Sequence, residues 1–167
     1  MKINGPRTGF GFDAHDFSRS GPLVLGGVSF SGVPRLRGHS DGDALLHALI
    51  DALLGAACLG DIGDLFPDTD KKFKGIDSRK LLAEALRRVR RAHFKPIHVD
   101  VTVVADKPRL SSHKTALRGT LAALLSLPLS SVSVKAKTSE GTRLLRARGG
   151  IAVWAVATLV PVASKGN

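Results

Sequence analysis

The chain has 167 residues, 43% of them hydrophobic, which suffices for one substantial core and is too short for two ordinary domains. A single cysteine, Cys58, excludes an internal disulfide framework, and the longest apolar stretch, residues 151–163, holds Thr158 and Pro161 and is too short for an ordinary membrane span. A formal charge of +11 favours an anionic partner: nucleic acid, a lipid surface or a phosphorylated metabolite.

In chain order, the charged residues 1–8 lead into no apolar signal-peptide core, so a cytoplasmic protein is expected, or an organelle-stroma one if a transit peptide has been removed. Residues 9–15 and 23–30 read as two strands joined by a turn at 18–22. Apolar residues at helical spacing over 41–59 predict a helix capped by Ser40 or Asp41, with Cys58 in an apolar run and so expected to be a buried, inert thiol. Residues 60–75 are turn-rich. Asp77 or Ser78 can cap a helix running to about His93, whose basic run Arg87, Arg88, Arg90 and Arg91 reads as a solvated face rather than a nucleic-acid contact. A β-branched strand is expected at 99–105, a third helix at 111–126, and strands at 132–137 and 151–160. The pattern predicts one α/β (α+β) domain over residues 1–162, a mixed sheet with helices packed on one face, and a loose tail at 163–167.

Asp13 and His15 are two apart, so on a strand they project from one face and can grip one cation. His47 is the candidate third ligand, one helical turn after Asp43 and one before Asp51. Two imidazoles and a carboxylate suit Zn²⁺ with an open fourth position, a catalytic rather than structural arrangement. His39, Ser40, Asp41, Gly42 and Asp43 precede the helix, where free backbone donors favour phosphate; a simple N-cap is the competing reading. Lys135, Lys137, Thr138, Ser139 and Glu140 end a strand with cations, hydroxyls and a carboxylate, which suits phosphate with a hard Mg²⁺ ion, or equally a solvated strand end.

Taken together, Gly11-Phe12-Asp13-Ala14-His15, His39-Ser40-Asp41-Gly42-Asp43, Leu46-His47-Ala48 and the run from Gly60 through Asp70 resemble, in order and spacing, the 2-C-methyl-D-erythritol 2,4-cyclodiphosphate synthase family. Phe73-Lys74-Gly75, Asp77-Ser78-Arg79, Val99-Asp100-Val101-Thr102 and Val134-Lys135-Ala136 continue the match in register. The resemblance implies an enzyme of the non-mevalonate isoprenoid pathway that takes a small nucleotide-diphosphate substrate and closes a cyclic diphosphate, releasing CMP. It implies no nucleic-acid or membrane partner. By motif, Asp13, His15 and His47 would hold Zn²⁺, and Glu140 would help place Mg²⁺ or Mn²⁺ between substrate phosphates. His39 and Thr138 would stabilise the transition state. Asp61, Ile62 and Gly63 would meet the ribose, and Phe66, Pro67, Asp68, Thr69 and Asp70 the methylerythritol portion. Ala105, Arg109, Leu110 and Ser111 would belong to a cytosine cradle, with Ser40, Lys137, Ser139 and Leu144 as further substrate contacts. From the one-turn spacing, Asp51 is expected to orient the His47 ring. Family members are homotrimers with active sites between subunits, so the same assembly is expected.

The chain departs from the family pattern at Lys137, where a threonine is usual, and at Ala147 and Gly149, where an arginine and a glutamate are usual. The arginine position lies by a central trimer cavity in the family, which puts regulation through that cavity in doubt here, with Arg146 and Arg148 as the nearby substitutes. Two other functions fit the residues. A metal-dependent phosphoesterase would use Asp41 or Asp43 to position water. A basic nucleic-acid-binding module would bind with steep salt dependence and be indifferent to loss of His47.

Overall fold

Strand β1, Arg7–Leu25, turns into β2, Val28–Leu36, through Gly26 and Gly27. The computed structural model describes residues 5–141 and 149–162. Both glycines have positive φ, 59° and 75°, and Leu25 pairs with Val28 across them, a two-residue hairpin whose backbone matches the twist of antiparallel strands. The apolar run at 23–30 is therefore two strand ends around a turn. Residues 18–22, expected as the turn, lie inside β1, where the register against β2 shifts on either side of Pro22. An irregularity in the strand accommodates the turn-forming residues there.

Helix α1 is Ala44–Ala57, capped by Asp43 rather than by Ser40 or Asp41. It ends at Cys58, whose φ of 57° is left-handed; that residue is exposed, not buried as expected, because it lies past the last helical turn that faces the sheet. The stretch taken as turns contains a short helix α2, Ile62–Leu65, and a 3₁₀ turn, Lys71–Phe73. Helix α3, Ser78–Arg91, is capped by Asp77 and buries Leu81, Leu82, Ala85, Leu86 and Val89 on one stripe; on its outer side Glu84 pairs with Arg87 and Arg88. Strand β3, Phe94–Ala105, is followed by a 3₁₀ turn, Ser111–His113, helix α4, Lys114–Leu125, and strand β4, Val132–Lys137. Strand β5, Gly150–Pro161, closes the described chain. Among the described residues no helix is long and apolar enough to cross a membrane.

The five strands form one mixed sheet in the order β2-β1-β5-β3-β4. Only β3 and β4 run parallel, and α4 lies in the crossover such a pair requires. One face of the sheet buries Val99, Val101 and Val103 of β3 and Val153, Ala155 and Ala157 of β5, with α1 packed across β1, β5 and β3. The domain is thus α+β, with a helical layer on this face. The opposite face leaves Phe10 63% and Phe12 48% exposed, with the Phe12 ring 5.2 Å from that of Trp154.

How closely α1 lies on β1 is decided by missing side chains. A Cβ on Gly9 would stand 2.0 Å from the Ala52 carbonyl oxygen, and one on Gly11 1.9 Å from that of Ala48. Two bare strand positions on the helix-facing side thus meet the alanine stripe of α1. The next two positions on that side of β1 are Asp13 and His15, and the residue before Ala48 is His47.

Candidate functional site

Asp13 and His15 pair with Val153 and Ile151 of β5 and share the helix-facing side of the sheet. His47 approaches them from the first turns of α1, and one ligand atom from each of the three residues lies within 4.8 Å of the others. His47 Nδ1 is 3.0 Å from Asp13 Oδ2, and His15 Nε2 is 2.9 Å from the same oxygen. That second approach is poorly directed: His15 Nε2 is buried and makes no hydrogen bond. An orphaned imidazole nitrogen beside a carboxylate oxygen and a second imidazole is a donor set that fits a divalent transition metal, which would satisfy all three at once.

The electrostatics agree. Burial pushes the Asp13 carboxyl up, but the His15 and His47 imidazoles beside it outweigh that and hold its pKa at about 2. For His47, burial favours the neutral ring, yet the Asp13 hydrogen bond and the charges of Asp13, Asp43 and Asp41 prevail and raise its pKa. A proton on His47 therefore competes with a metal to a higher pH than on an ordinary histidine. Divalent-metal affinity, measured by chelator competition, is expected to be constant at alkaline pH and to weaken by about tenfold per pH unit once the solution is more acidic than that raised pKa.

The other side of the His47 ring is held by hydroxyls: Nε2 lies 3.0 Å from Ser40 Oγ and 2.9 Å from Ser78 Oγ. Asp51, expected to orient this ring, instead accepts from the Ile62 N–H at 2.8 Å, tying α1 to α2. One helical turn brings Asp51 near His47, but Ser40 and Ser78 occupy the free nitrogen. Nor is the start of α1 open to phosphate. Asp43, wholly buried, accepts from Gly26 and Leu46 N–H at 2.8 and 3.0 Å through Oδ1, and from Gly27 N–H at 2.7 Å through Oδ2. A buried carboxylate already answers the helix dipole.

These groups open onto a cleft of about 510 Å³. Asp13, His15 and His47 line one part of it, with Gly38, His39 and Ser40 beside them. Asp51, Ile62, Gly63, Phe66, Pro67 and Asp68 line another, and Phe73, Ile76 and Leu81 add apolar wall. His39 Nε2 is buried and has no hydrogen-bond partner. Asp61, Thr69 and Asp70, expected alongside, do not line the cleft. Asp61 and Asp70 instead cap the short helices, accepting from Asp64 N–H at 3.0 Å and Lys72 N–H at 3.1 Å.

The remaining candidates form a second group, also outside the cleft, at the adjacent ends of β3 and β4. Here Asp106, which the sequence reading did not single out, accepts from Ser139 N–H at 2.8 Å and from its hydroxyl at 2.7 Å. That clasp joins the segment holding Ala105, Arg109, Leu110 and Ser111 to the segment holding Lys137, Thr138 and Glu140. The Thr138 hydroxyl donates to the Glu140 carboxylate. Leu144, Arg146, Ala147 and Arg148 lie outside the described residues. Ser78, from sequence a cap candidate and part of the Asp77-Ser78-Arg79 match, is not among the expected site residues; its position one residue after the Asp77 cap, at the mouth of a helix, is the available signal for a second use.

Comparison with known proteins gives a consistent answer. The profile of the YgbB family matches residues 6–160. The 2-C-methyl-D-erythritol 2,4-cyclodiphosphate synthase of Laribacter hongkongensis is 55% identical over 92% of this chain and 94% of its own. A solved structure of a 2C-methyl-D-erythritol-2,4-cyclodiphosphate synthase in a CDP-bound form superposes with a TM-score of 0.83 at 40% identity, covering 92% of this chain and 99% of that one. The bifunctional IspDF of Campylobacter jejuni superposes with a TM-score of 0.89 at 43% identity over 94% of this chain, which spans 42% of the bifunctional protein. Matched along nearly its whole length in sequence and in fold, the chain belongs to the YgbB family of 2-C-methyl-D-erythritol 2,4-cyclodiphosphate synthases.

Proposed function

We propose that this enzyme converts 4-diphosphocytidyl-2-C-methyl-D-erythritol 2-phosphate into 2-C-methyl-D-erythritol 2,4-cyclodiphosphate and CMP, in the cytoplasm, as a step of non-mevalonate isoprenoid synthesis. The observation that carries the reading is the convergence of Asp13, His15 and His47 on the wall of the cleft, with a buried His15 nitrogen that makes no hydrogen bond. The 2-phosphate oxygen forms a bond to the β-phosphorus while the bond from that phosphorus to the bridging oxygen breaks, and CMP leaves with the electron pair. No protein nucleophile takes part. What the residues must do is fold a flexible polyanion so that its two phosphorylated ends meet.

Asp13, His15 and His47 would hold Zn²⁺, which when bound supplies positive charge against phosphate oxygens. The His39 Nε2, buried and unpartnered, is a donor for a phosphate oxygen in the same cleft. Ser40 adds a hydroxyl, and Ile62, Gly63, Phe66, Pro67 and Asp68 supply a partly apolar wall for the ribose and methylerythritol. Lys137, Thr138, Ser139 and Glu140 face the diphosphate, and Glu140 is the carboxylate suited to Mg²⁺ or Mn²⁺. Ala105, Arg109, Leu110 and Ser111 would form the cytosine cradle; that such a cradle exists in the family is in keeping with the relative solved in a CDP-bound form. Asp61, Thr69 and Asp70 border the site through the turns they cap or occupy.

A homotrimer with shared active sites is supported by two features. The candidate residues fall into two groups, of which only one lines the cleft of the chain. The helix-free face of the sheet exposes Phe10 and Phe12 beside Trp154 and Val156, an apolar area that a second copy would cover. Phe12→Asp is expected to convert trimers to monomers by light scattering and to abolish turnover while leaving the far-ultraviolet circular dichroism intact.

A phosphoesterase is disfavoured by its own candidate bases. Asp43 is enclosed by backbone donors, and Asp41 accepts from Ser78 N–H, Ser78 O–H and Asp43 N–H at 3.0, 2.5 and 3.2 Å. Neither carboxylate is free to position water. Incubating the purified protein with the cytidyl substrate and divalent metal, following CMP release and the ³¹P spectrum, tests the proposal. A cyclic diphosphate without solvent oxygen supports it; an open-chain product carrying ¹⁸O from labelled water overturns it.

A further inference from the structure

Ser78 is wholly buried at the first position of α3, yet the helix does not need its side chain, because Asp77 supplies the cap through Arg79 N–H. Its hydroxyl instead stands between two groups. Oγ is 2.5 Å from Asp41 Oδ1 and 2.9 Å from His47 Nε2, while the Ser78 backbone N–H donates to Asp41 Oδ2 at 3.0 Å. An ionised carboxylate only accepts, and a serine hydroxyl has one proton to give. At 2.5 Å that proton goes to Asp41, so toward His47 the serine can offer only a lone pair. The imidazole must then carry hydrogen on Nε2. Ser40 Oγ, 3.0 Å from the same nitrogen and accepting from the Gly42 N–H at 3.3 Å, can turn its own proton to Ser78 Oγ at 3.4 Å and so serve as a second acceptor.

We propose that Ser78, locked by Asp41, is a positioning residue for His47: it keeps a hydrogen on Nε2, so that with metal bound Nδ1, the nitrogen facing Asp13, is the one that presents its lone pair to the cation shared with Asp13 and His15. The inference rests on reading those three residues as a metal centre, and it adds to that reading the device that selects which nitrogen binds. The chain Asp41, Ser78, His47 has the logic of a carboxylate-histidine-metal relay with a hydroxyl inserted between carboxylate and ring. It also links the metal centre to the start of α3 and to the His39–Asp43 segment, so the ring is fixed from two directions: by Asp13 on β1 and by α3.

The test is zinc affinity of purified full-length protein by chelator competition, together with the ¹⁵N and ¹H resonances of the His47 ring in zinc-loaded protein. Ser78→Ala is expected to weaken zinc binding about 10–100-fold, the usual cost of losing an outer partner of a metal ligand, and to make the Nε2–H proton exchange faster with solvent. Ser78→Thr keeps the hydroxyl and should restore both. Asp41→Asn replaces the carboxylate, which accepts from Ser78 through both oxygens, with a neutral amide that has one acceptor and one donor, so the serine proton is held less firmly toward position 41 and zinc binding should weaken with Ser78 still in place. Zinc affinity and Nε2–H exchange unchanged in both Ser78→Ala and Asp41→Asn would overturn the assignment, as would a loss in Ser78→Ala that Ser78→Thr fails to restore. If the unaltered protein takes up no stoichiometric zinc, it is the metal-centre reading that fails, and the wild-type titration reveals this before any variant is made.

Discussion

Purified His47→Ala protein is expected to carry no stoichiometric zinc and to turn over about a thousandfold more slowly than the unaltered enzyme, with its fold intact. The fold should survive because His47 lies on the cleft side of α1, and alanine is the best helix former. The chemistry should not. The reaction brings two phosphate-bearing ends of one molecule together, and a bound cation is worth several kcal/mol of charge stabilisation in such a step; about 4 kcal/mol is roughly a thousandfold in rate. Removing His47 also leaves Asp13 with a single imidazole neighbour, so its carboxylate loses part of what holds its pKa near 2. Asp51→Asn provides the contrast. Its carboxylate serves Ile62 N–H, and both ring nitrogens of His47 are engaged elsewhere, so zinc content should stay near one per chain. Zinc retained in full by His47→Ala, measured by atomic absorption after dialysis, would remove the metal centre from the account.

The convergence of Asp13, His15 and His47 was legible from sequence because it depends on two short-range regularities. Alternation along β1 puts Asp13 and His15 on one side, and helical spacing puts His47 on the stripe that faces them. What spacing could not give was the outer partner of His47. One-turn separation nominated Asp51, which is near in chain and in space, whereas the hydroxyl that meets Nε2 comes from Ser78, 31 residues away and brought in by the packing of α3. Long-range contacts of this kind carry no local pattern. The hairpin shows a second limit: the run 18–22 has the composition of a turn, but Gly26 and Gly27 make the turn because the Asp43 carboxylate, from another element, receives both of their N–H groups. The cap of α1 lies two or three residues beyond the expected Ser40 or Asp41 for the same reason, since those two are committed to His47 and Ser78 and leave Asp43 to close the helix, whereas the cap of α3 is Asp77 as expected.

Gly11→Ala should cost about 3 kcal/mol of stability and weaken zinc binding at the same time, although the substitution adds one methyl group and touches no ligand. Overpacking usually costs 1–3 kcal/mol because neighbouring side chains can move aside. Here the obstacle is backbone: the new carbon would stand 1.9 Å from the Ala48 carbonyl oxygen and 2.7 Å from the Ala52 nitrogen. No rotamer relieves that contact, so α1 must retreat from β1 as a body. The retreat acts where the candidate ligands divide between the two elements, Asp13 and His15 on β1 and His47 on α1, and it lengthens the distances that would let three donors share an ion. Gly55→Ala supplies the control, because a Cβ there meets nothing within 4 Å and the residue lies inside α1. It should stabilise the protein by about 0.5–1 kcal/mol and leave zinc binding unchanged. Urea midpoints and zinc dissociation constants measured on the two variants separate a general effect of replacing glycine from the specific one, in which bare backbone on β1 sets the depth at which α1 delivers His47.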